Sequence, residues 1–274
     1  MNEQKIPMID SHMHLHDVKF DHDRVDVIAR AHDAGMVQMI TVGTNQESSQ
    51  RAVDLAHAEK DVFATIGLHP LHLFSASNCD PEEQFIEEFD HDFYYSLAQD
   101  DRVVAIGEVG LDYHHFGEGD DIEMIKEKQR EVFKECIVMC NDVRKPIVVH
   151  CWDGYEELVD ILTQFPVEKR GVIHSYIGSW KNAEKFIALG YKIGVNGIVT
   201  YGDSYDKLLR NIDLKDLLIE TDCPYLPPRP LPRENRCEPR DVYYVAQKIA
   251  DVKDLSTEEI LQTTTKNAKE VFHI

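Results

Sequence analysis

Residues 103–112 read VVAIGEVGLD, and this stretch decides the fold of the 274-residue chain. The run is rich in valine and does not alternate polar with apolar residues, which is typical of a strand buried on both faces of a parallel sheet. One carboxylate, Glu108, interrupts it between two glycines, which would let neighbouring groups approach the backbone closely. Because a buried carboxylate is costly unless it is paired or binds a metal, the stretch predicts a central strand that ends at a functional site.

Apolar runs of this kind recur along the chain, with longer amphipathic segments between them. The eight runs are Pro7–His14, Met39–Thr44, Phe63–His69, Val103–Asp112, Pro146–Cys151, Gly171–Tyr176, Tyr191–Gly197 and Leu217–Asp222. Eight buried strands that alternate with helices predict an α/β fold, a (β/α)8 TIM barrel with additional C-terminal helices, formed by residues 1–274 as one domain. An open doubly wound sheet is the alternative, and the lack of a Gly-x-Gly-x-x-Gly sequence after the first run counts against it.

The segments between the runs have helical composition. The predicted helices are Asp21–Ala34, Glu47–Glu59, Pro81–Ala98, Ile122–Asn141, Tyr155–Gln164, Lys181–Leu189, Ser204–Asn211, Pro239–Asp251 and Thr257–Phe272. Asp80 followed by Pro81 is typical of a helix start. Ser256, three residues before Glu259, indicates a capping box for the last helix.

Charge and composition narrow the functional classes. The chain has 29 Lys and Arg against 50 Asp and Glu, a net charge of −21. An acidic body argues against broad binding to nucleic acid, for which a basic surface normally supplies the affinity. No apolar run approaches the roughly 20 residues that cross a membrane, and the N-terminus lacks the blocks of a signal peptide. The six cysteines form no Cys-x-x-Cys pair, so a cytoplasmic location is expected.

The first run carries two histidines, His12 and His14, two positions apart. Residues with this spacing face the same side of a strand, so the two imidazoles would point together and offer a chelate to a borderline metal. Two histidines hydrogen-bonded to each other are the alternative. Asp10 shares their face and is expected to orient a ligand histidine.

Further potential ligands fall at the ends of later runs, where barrels of this kind collect their functional groups. The complete set of predicted metal ligands is His12, His14, Glu108, His150, His174 and Asp222. Five of the eight predicted strands thus end in a good metal ligand, which favours metal binding over coincidental placement of buried polar groups.

Six ligands are too many for one catalytic ion that keeps an open position, and they suit two ions. We expect His12, His14 and Asp222 to hold one divalent ion and His150 and His174 to hold the other, with the glutamate of VVAIGEVGLD between them. Two ions can clamp both oxygens of a displacement at phosphorus and lower the pKa of a shared water. Asp222, as proton acceptor, and the bridging glutamate are the predicted catalytic residues. Mg, Mn and Zn all stay open.

Taken together, the motifs resemble the TatD family of metal-dependent deoxyribonucleases, which belongs to the amidohydrolase-like barrels. The resemblance runs through DSHMH at 10–14, GLHP at 67–70, GEVGLDY at 107–113, PIVVH at 146–150, IH at 173–174 and ETDCPYL at 220–226. It implies a (β/α)8 barrel, divalent-metal dependence with the same six ligands, and hydrolysis of DNA ends or short single strands, often as a 3′-5′ exonuclease. It also implies that His69 lies close to the substrate phosphate; a loop histidine packed on Pro70 is the alternative.

The chain departs from the family pattern at several positions near the expected site. An arginine is common after the fifth-strand histidine, whereas this chain has Trp152, which can stack or pack but cannot grip a phosphate. Ser175-Tyr176 and Cys237 also replace the usual residues, which puts the substrate preference in doubt. Tyr113, Trp152 and Tyr176 are candidates for base stacking, with packing at the barrel rim as the alternative.

Four arginines follow Asp222 within an acidic protein, namely Arg229, Arg233, Arg236 and Arg240. They predict a local patch that grips phosphate, with Arg236 as a substrate-binding residue. The alternative is a solvated loop paired with Glu234 and Glu238. Three further histidines are expected to be exposed in loops: His72, His114 and His115.

Three functional classes remain on these grounds. The first is a metal-dependent nuclease or phosphodiesterase. The second is an amidohydrolase-like enzyme acting on a C–N or ester bond, such as an aminoacyl ester, although such enzymes often bridge their metals with a modified lysine where this chain has Glu108. The third is a non-catalytic binding protein, which the complete ligand set disfavours. The sequence does not fix the oligomeric state, for which a monomer is one expectation.

Overall fold

Eight parallel strands follow one another around a barrel in the order of the chain. The computed structural model describes residues 5–74 and 86–274. The strands are β1 (Met8–Met13), β2 (Met36–Val42), β3 (Val62–Ile66), β4 (Val103–Asp112), β5 (Ile147–Trp152), β6 (Gly171–Ile173), β7 (Lys192–Val195) and β8 (Leu217–Ile219). The predicted TIM barrel is confirmed, and the stretch VVAIGEVGLD forms β4 with the predicted bounds.

Some strand ends differ from the predicted ones. β2 begins at Met36 rather than at the predicted Met39. The predicted strand starts too late because Gln38 interrupts the apolar pattern. β6 and β8 end earlier than predicted, so that His174 and Asp222 lie in the loops directly behind these strands. In both cases a ligand follows its strand at the C-terminal rim, the end of the barrel where such groups were expected.

The barrel closes through contacts between β1 and the segment behind β8. The Ser11 hydroxyl donates to the carbonyl of Ile219 over 3.0 Å, and the backbone N–H of Asp222 donates to the carbonyl of His12 over 2.9 Å. The Asp10 carboxylate accepts from the backbone N–H groups of His12 and Thr221, and from the Thr221 hydroxyl over 2.5 Å. Asp10 therefore binds backbone and a hydroxyl at this seam, and the expectation that it orients a histidine ring is wrong.

Helices cover the outside of the barrel. Those of the described residues are α1 (Arg24–Ala34), α2 (Gln46–Ala58), α3 (His91–Leu97), α4 (Ile122–Val143), α5 (Tyr155–Gln164), α6 (Trp180–Ala188), α7 (Asp206–Asn211), α8 (Val242–Lys253) and α9 (Thr257–Phe272). The proposed helix start at Asp80 and Pro81 lies outside the described residues. The Ser256 hydroxyl accepts from the N–H of Glu259 over 3.1 Å, which is one half of the predicted capping box.

Pro239 begins a short 3-10 turn rather than a helix, and α8 starts three residues later than predicted. Among the helices of residues 5–74 and 86–274, none combines the length and the apolar character that a bilayer span requires.

Two glycines of β4 allow β5 to approach closely. Gly107 and Gly110 have φ values of 146° and 150°, which side chains disfavour. A Cβ atom at Gly107 would collide with the carbonyl of Val148, and one at Gly110 with the carbonyl of His150. The predicted role of these glycines is confirmed, because they bring the backbone around Glu108 against the strand that carries His150.

Candidate metal centre

Three of the predicted ligands meet at the seam of the barrel. His14 Nε2 lies 3.2 Å from Asp222 Oδ1, and His12 Nε2 lies 3.8 Å from the same oxygen. His14 Nδ1 lies 2.8 Å from the carbonyl oxygen of Val42, which can only accept, so Nδ1 carries the proton. The lone pair of Nε2 is thereby free to point at a cation beside Asp222.

The carboxylate of Glu108 lies between four imidazoles. Its Oε1 atom is 2.9 Å from His150 Nδ1, 3.4 Å from His69 Nε2 and 3.7 Å from His174 Nε2. Its Oε2 atom is 3.3 Å from His12 Nε2. One carboxylate thus contacts histidines on both sides of the barrel mouth, which is the placement that a bridging ligand requires.

The imidazole rings contact one another in two pairs. His174 stacks on His12, with ring centroids 3.3 Å apart and an interplanar angle of 14°. His150 has the edge of His69 beside it instead, with centroids 4.3 Å apart. At the barrel mouth, three groups of side chains have donor atoms close enough to share one ion. They are His12–Glu108–His174, His12–His14–Asp222 and His69–Glu108–His150. His69, predicted as a substrate contact, lies as near to Glu108 as the predicted ligands do.

Two buried carboxylates that were not singled out hold the outer sides of these rings. Asp112 Oδ2 lies 3.0 Å from His150 Nε2, and Glu220 Oε1 lies 2.8 Å from His174 Nδ1. Both side chains are fully buried. Carboxylates behind metal-binding histidines fix the ring orientation and raise the basicity of the ligand. The spacing of these residues in the sequence could have indicated their role. Asp112 lies four residues after Glu108, and Glu220 lies two residues before Asp222. Residues at such even spacing lie on the same face of an extended chain.

The pKa shifts of three histidines and two carboxyl groups indicate that the cluster attracts positive charge. Burial alone would lower the pKa of these three histidines, but the facing carboxylates raise it to about 8 for His14, about 10 for His150 and about 9 for His174. Burial alone would raise the pKa of the carboxyl groups, but the surrounding imidazoles hold that of Glu108 well below its usual range and that of Asp222 at about 2. Divalent cations would supply this positive charge directly.

His12 offers the clearest fit to a bound cation. The side chain is completely buried, and neither ring nitrogen has a hydrogen-bond partner within the described residues. An unsatisfied buried polar atom costs roughly 1–3 kcal/mol. Its Nε2 atom lies 3.3 Å from Glu108 Oε2 and 3.8 Å from Asp222 Oδ1, so a cation coordinated there would also be close to both carboxylates.

The loop histidines do not all follow the expectation. His114 is exposed, as predicted, but His72 is buried and His115 is half-buried with its Nδ1 atom 2.9 Å from Asp112 Oδ2. The expectation is wrong for these two residues because their loops fold inward and line the cleft above the metal centre.

The arginines behind β8 mostly make contacts within the protein. Arg236 donates to both oxygens of Asp23 over 2.8 and 2.6 Å and to the carbonyl of Lys19 over 2.7 Å. It is not among the described residues that line the cleft. Arg240 lies 3.1 Å from Glu238, which also contacts Arg236, so the alternative of a salt-bridged loop holds for these two. A role of Arg236 in substrate binding stays a prediction.

A cleft of about 600 Å³ opens onto the predicted ligands. Its walls combine imidazole and carboxylate groups with apolar side chains such as Leu71, Ile177 and Leu226. The polar cluster lies at the base and the apolar residues surround it, so a partly apolar ligand with an anionic group would find matching surfaces here.

Comparison with known proteins agrees with this arrangement. Residues 9–273 match the family model described as TatD related DNase. The chain is 34% identical over 270 residues to the uncharacterized metal-dependent hydrolase YabD of Bacillus subtilis, with 97% of this chain and 99% of that protein covered. It is also 34% identical over 275 residues to the 3′-5′ ssDNA/RNA exonuclease TatD of Escherichia coli, with the same coverage.

The crystal structure of YJJV, a TatD homolog from Escherichia coli, superimposes with a TM-score of 0.85 at 27% identity, and covers 97% of this chain and 98% of that one. With a family model across nearly the whole sequence, relatives of the same length and a shared barrel, the chain belongs to the TatD-related DNase family of metal-dependent hydrolases.

Proposed function

We propose that this protein hydrolyses phosphodiester bonds at the ends of single-stranded DNA with the help of two divalent cations. The observation that carries the proposal is the position of Glu108, whose two carboxylate oxygens face His12 on one side and His150 on the other. A ligand shared in this way is the usual element between two ions that act on one phosphate.

The residues divide into two sets around Glu108. His12, His14 and Asp222 would hold one cation. His150 and His174 would hold the other, since both rings approach the same oxygen of Glu108, over 2.9 and 3.7 Å. Imidazole donors suit Zn and carboxylate donors suit Mn, so the mixed set is compatible with both, while Mg commonly prefers oxygen ligands; we therefore expect activity with Zn or Mn at least as high as with Mg. The cations, when bound, would supply Lewis-acid charge at the phosphate and acidify water.

The protein side chains would position the substrate and move the proton. Asp222 is ionised at neutral pH, because the neighbouring imidazoles hold its pKa at about 2 against the effect of burial, and we assign it as the proton acceptor for the attacking water. The backbone N–H of Leu71 lies 3.3 Å from His69 Nδ1, which leaves Nε2 directed towards Glu108 and the cleft. We assign His69 to the substrate phosphate.

Single-stranded nucleic acid is the substrate class that fits best. A relative 34% identical to this chain is named as a 3′-5′ exonuclease on single-stranded DNA and RNA. The net charge of −21 is unfavourable for a long duplex, whose phosphates need an extended basic surface. A strand end can instead reach the cleft with few phosphates near the acidic body.

The test combines elemental analysis with a substrate panel on one purified sample. The protein is loaded separately with Mg, Mn or Zn and given single-stranded DNA labelled at its 5′ end, the matching duplex, RNA and an aminoacyl ester. We expect shortening of the single strand from its 3′ end, loss of activity in excess chelator, and loss of activity in Glu108→Gln. The exposed Asp142→Asn variant serves as a matched control and should keep full activity.

Two outcomes would overturn the proposal. Cleavage that persists in excess chelator would exclude the metal-dependent reaction. Metal-dependent hydrolysis of the aminoacyl ester, with every phosphodiester left intact, would favour the amidohydrolase-like alternative.

A further inference from the structure

Trp152 lines the cleft that opens onto the candidate metal centre. It lies two positions after His150 on β5, and residues with this spacing share one face of a strand and lie roughly 7 Å apart. The side chain lines the same cleft as His150 and Glu108. Trp152 therefore lies nearer the C-terminal end of β5 than His150 does, in the wall of the same cleft.

Two histidines of the loop behind β4 fix the indole ring. His114 stacks on it with centroids 4.5 Å apart and an interplanar angle of 10°, and His115 meets it edge-on at 4.8 Å and 89°. His114 Nδ1 lies 3.0 Å from Asp153 Oδ2. We call Trp152, His114 and His115 the Trp152 platform.

The platform is connected to the metal centre through one carboxylate. Asp112 lies within 3.0 Å of both His115 Nδ1 and His150 Nε2. The predicted ligand His150 and the platform residue His115 thus contact the same buried carboxylate. These contacts, together with the backbone of β5, fix the distance between the ligand and the platform.

The two tyrosines that the sequence also suggests for base stacking are already committed to packing. Tyr176 is completely buried and donates its hydroxyl to the carbonyl of Ser179 over 2.7 Å. Tyr113 donates to Glu157 over 2.8 Å and has Lys126 over its ring. Of the three residues that the sequence suggests for base stacking, Trp152 is the one whose side chain lines the cleft.

The cleft offers little basic charge to a nucleic acid. Among its described lining residues, Arg51 is the one arginine or lysine, and its guanidinium already donates to the carbonyl of His16 over 2.7 Å and to Asp21 over 3.0 Å. Affinity for a strand must then come from the cations and from contacts with uncharged parts of the nucleotide. Stacking of a base on an aromatic ring supplies such a contact and tolerates every base.

We propose that the Trp152 platform stacks an unpaired base of the nucleotide next to the scissile phosphate and so makes the enzyme selective for unstacked strand ends. The inference rests on the proposed function, since it names the part of the substrate that this site would read.

The kinetic test uses two substrates that differ only in their bases. One is a short single-stranded oligothymidylate, and the other carries abasic residues at its last two 3′ positions. Loss of base–aromatic stacking corresponds to roughly a 5- to 100-fold loss of affinity. We expect Trp152→Ala to raise KM for the intact strand by this factor and to change kcat little. On the abasic strand, wild type and Trp152→Ala should have the same KM. On the intact strand, Trp152→Phe should restore most of the affinity that Trp152→Ala loses.

A fluorescence test follows binding without turnover. The protein has two tryptophans, Trp152 and Trp180, so Trp180→Phe leaves the platform as the one indole reporter. Trp180 is not among the described residues that line the cleft, so its replacement should leave KM unchanged. Binding of a phosphorothioate-linked oligothymidylate to the metal-loaded variant should quench this fluorescence, and the abasic analogue should not.

The outcomes separate the two proposals. If wild type cleaves the oligonucleotide but Trp152→Ala impairs the intact and the abasic strand equally, or if the intact strand causes no quenching, the platform is not a base-binding site although the enzyme is a nuclease. If wild type cleaves neither strand under any metal, the proposed function itself fails.

Discussion

Asp112 and His150 are joined by a contact of 3.0 Å between Oδ2 and Nε2, across the interface of β4 and β5. Burial alone would raise the pKa of the Asp112 carboxyl, but hydrogen bonds from His115 and His150 outweigh this and keep it below its usual range. The carboxylate is therefore charged at neutral pH, and its position fixes one ring of the candidate metal centre.

Replacement of this carboxylate should weaken metal binding. Asp112→Asn keeps the shape but removes the charge behind His150, and changes of this kind lower metal affinity about 10- to 100-fold. Competition with a chromogenic chelator measures the effect. Asp142→Asn, an exposed change on α4, is the matched control. Equal affinity in both variants would show that Asp112 does not position the ligand.

Gly194 makes room for the other buried carboxylate. A Cβ atom at this position of β7 would lie 2.6 Å from Glu220 Oε2. We expect Gly194→Ala to destabilise the fold by about 1–3 kcal/mol through overpacking, and also to lower metal affinity because Glu220 is displaced from His174. Urea unfolding and chelator competition measure the two effects.

Gly202 provides the control for that prediction, since a Cβ atom there meets nothing within 4 Å. Gly202→Ala should stay within about 0.5 kcal/mol of wild type. A Gly194→Ala protein that is destabilised but binds metal normally would contradict the role assigned to Glu220.

The ion pair between Asp23 and Arg236 should make stability depend on pH. Hydrogen bonds from Arg236 lower the pKa of Asp23 to about 2, against the opposing effect of burial. A lowered carboxyl pKa contributes stability above the unfolded-state value of about 3.9, and the contribution is lost as the pH falls towards 2. Asp23→Asn should therefore cost about 1–2 kcal/mol at pH 7, and urea unfolding should show a smaller deficit at each step below pH 4.

The same pair tests the sequence-based role of Arg236. If Arg236 ties the loop behind β8 to Asp23, Arg236→Gln should lower the free energy of unfolding at pH 7 and leave KM for oligonucleotides unchanged. A rise in KM without loss of stability would instead support the predicted phosphate contact.

Bound cations should stabilise the fold, because their predicted ligands lie on both sides of the barrel seam. A cation at a hundred times its Kd stabilises by about 2.7 kcal/mol, which corresponds to a rise in Tm of roughly 5–10 °C for a chain of this size. Differential scanning calorimetry with Zn or with chelator measures the shift, and His12→Ala should reduce it.

A second group of potential ligands lies on the surface, at His57, Asp100 and Asp101. The variant His57→Ala controls for it, since its metal-induced shift in Tm should equal that of wild type. Loss of the shift in His57→Ala but not in His12→Ala would place the stabilising cation at the surface and contradict the assignment to the barrel mouth.

The sequence predicted the barrel well because its buried strands leave a strong local signal. The predicted bounds of β4 are those of the structure, because its apolar residues and glycines form an uninterrupted run apart from Glu108. The predicted ligands His12 and His14 follow from their two-residue spacing, which places both imidazoles on one face of a strand. The strand ends were less certain, since Gln38 lies within β2 despite its polar side chain. Hydrogen bonding to the neighbouring strand, which a single sequence does not show, sets these limits.

The carboxylates that contact the outer sides of the ligand histidines were identified from the structure and not from the sequence. Asp112 and Glu220 resemble ordinary loop or strand-end carboxylates until the ring nitrogen that each one meets is known. His72 and His115 were misassigned for the same reason, because their burial depends on how loops fold over the barrel mouth. Arg236 has the composition of a phosphate contact, and its pairing with Asp23 arises from residues 213 positions apart.

The hydrogen bond from the Asp222 N–H to the His12 carbonyl has a consequence for the order of events during synthesis. The predicted ligands begin at residue 12 and end at residue 222, so a growing chain cannot assemble the complete centre until the ribosome has released its eighth strand. Loading of the ion assigned to His12, His14 and Asp222 would then come after the barrel has closed. A cation retained at these three residues would report that the first strand and the segment behind the last strand are in contact.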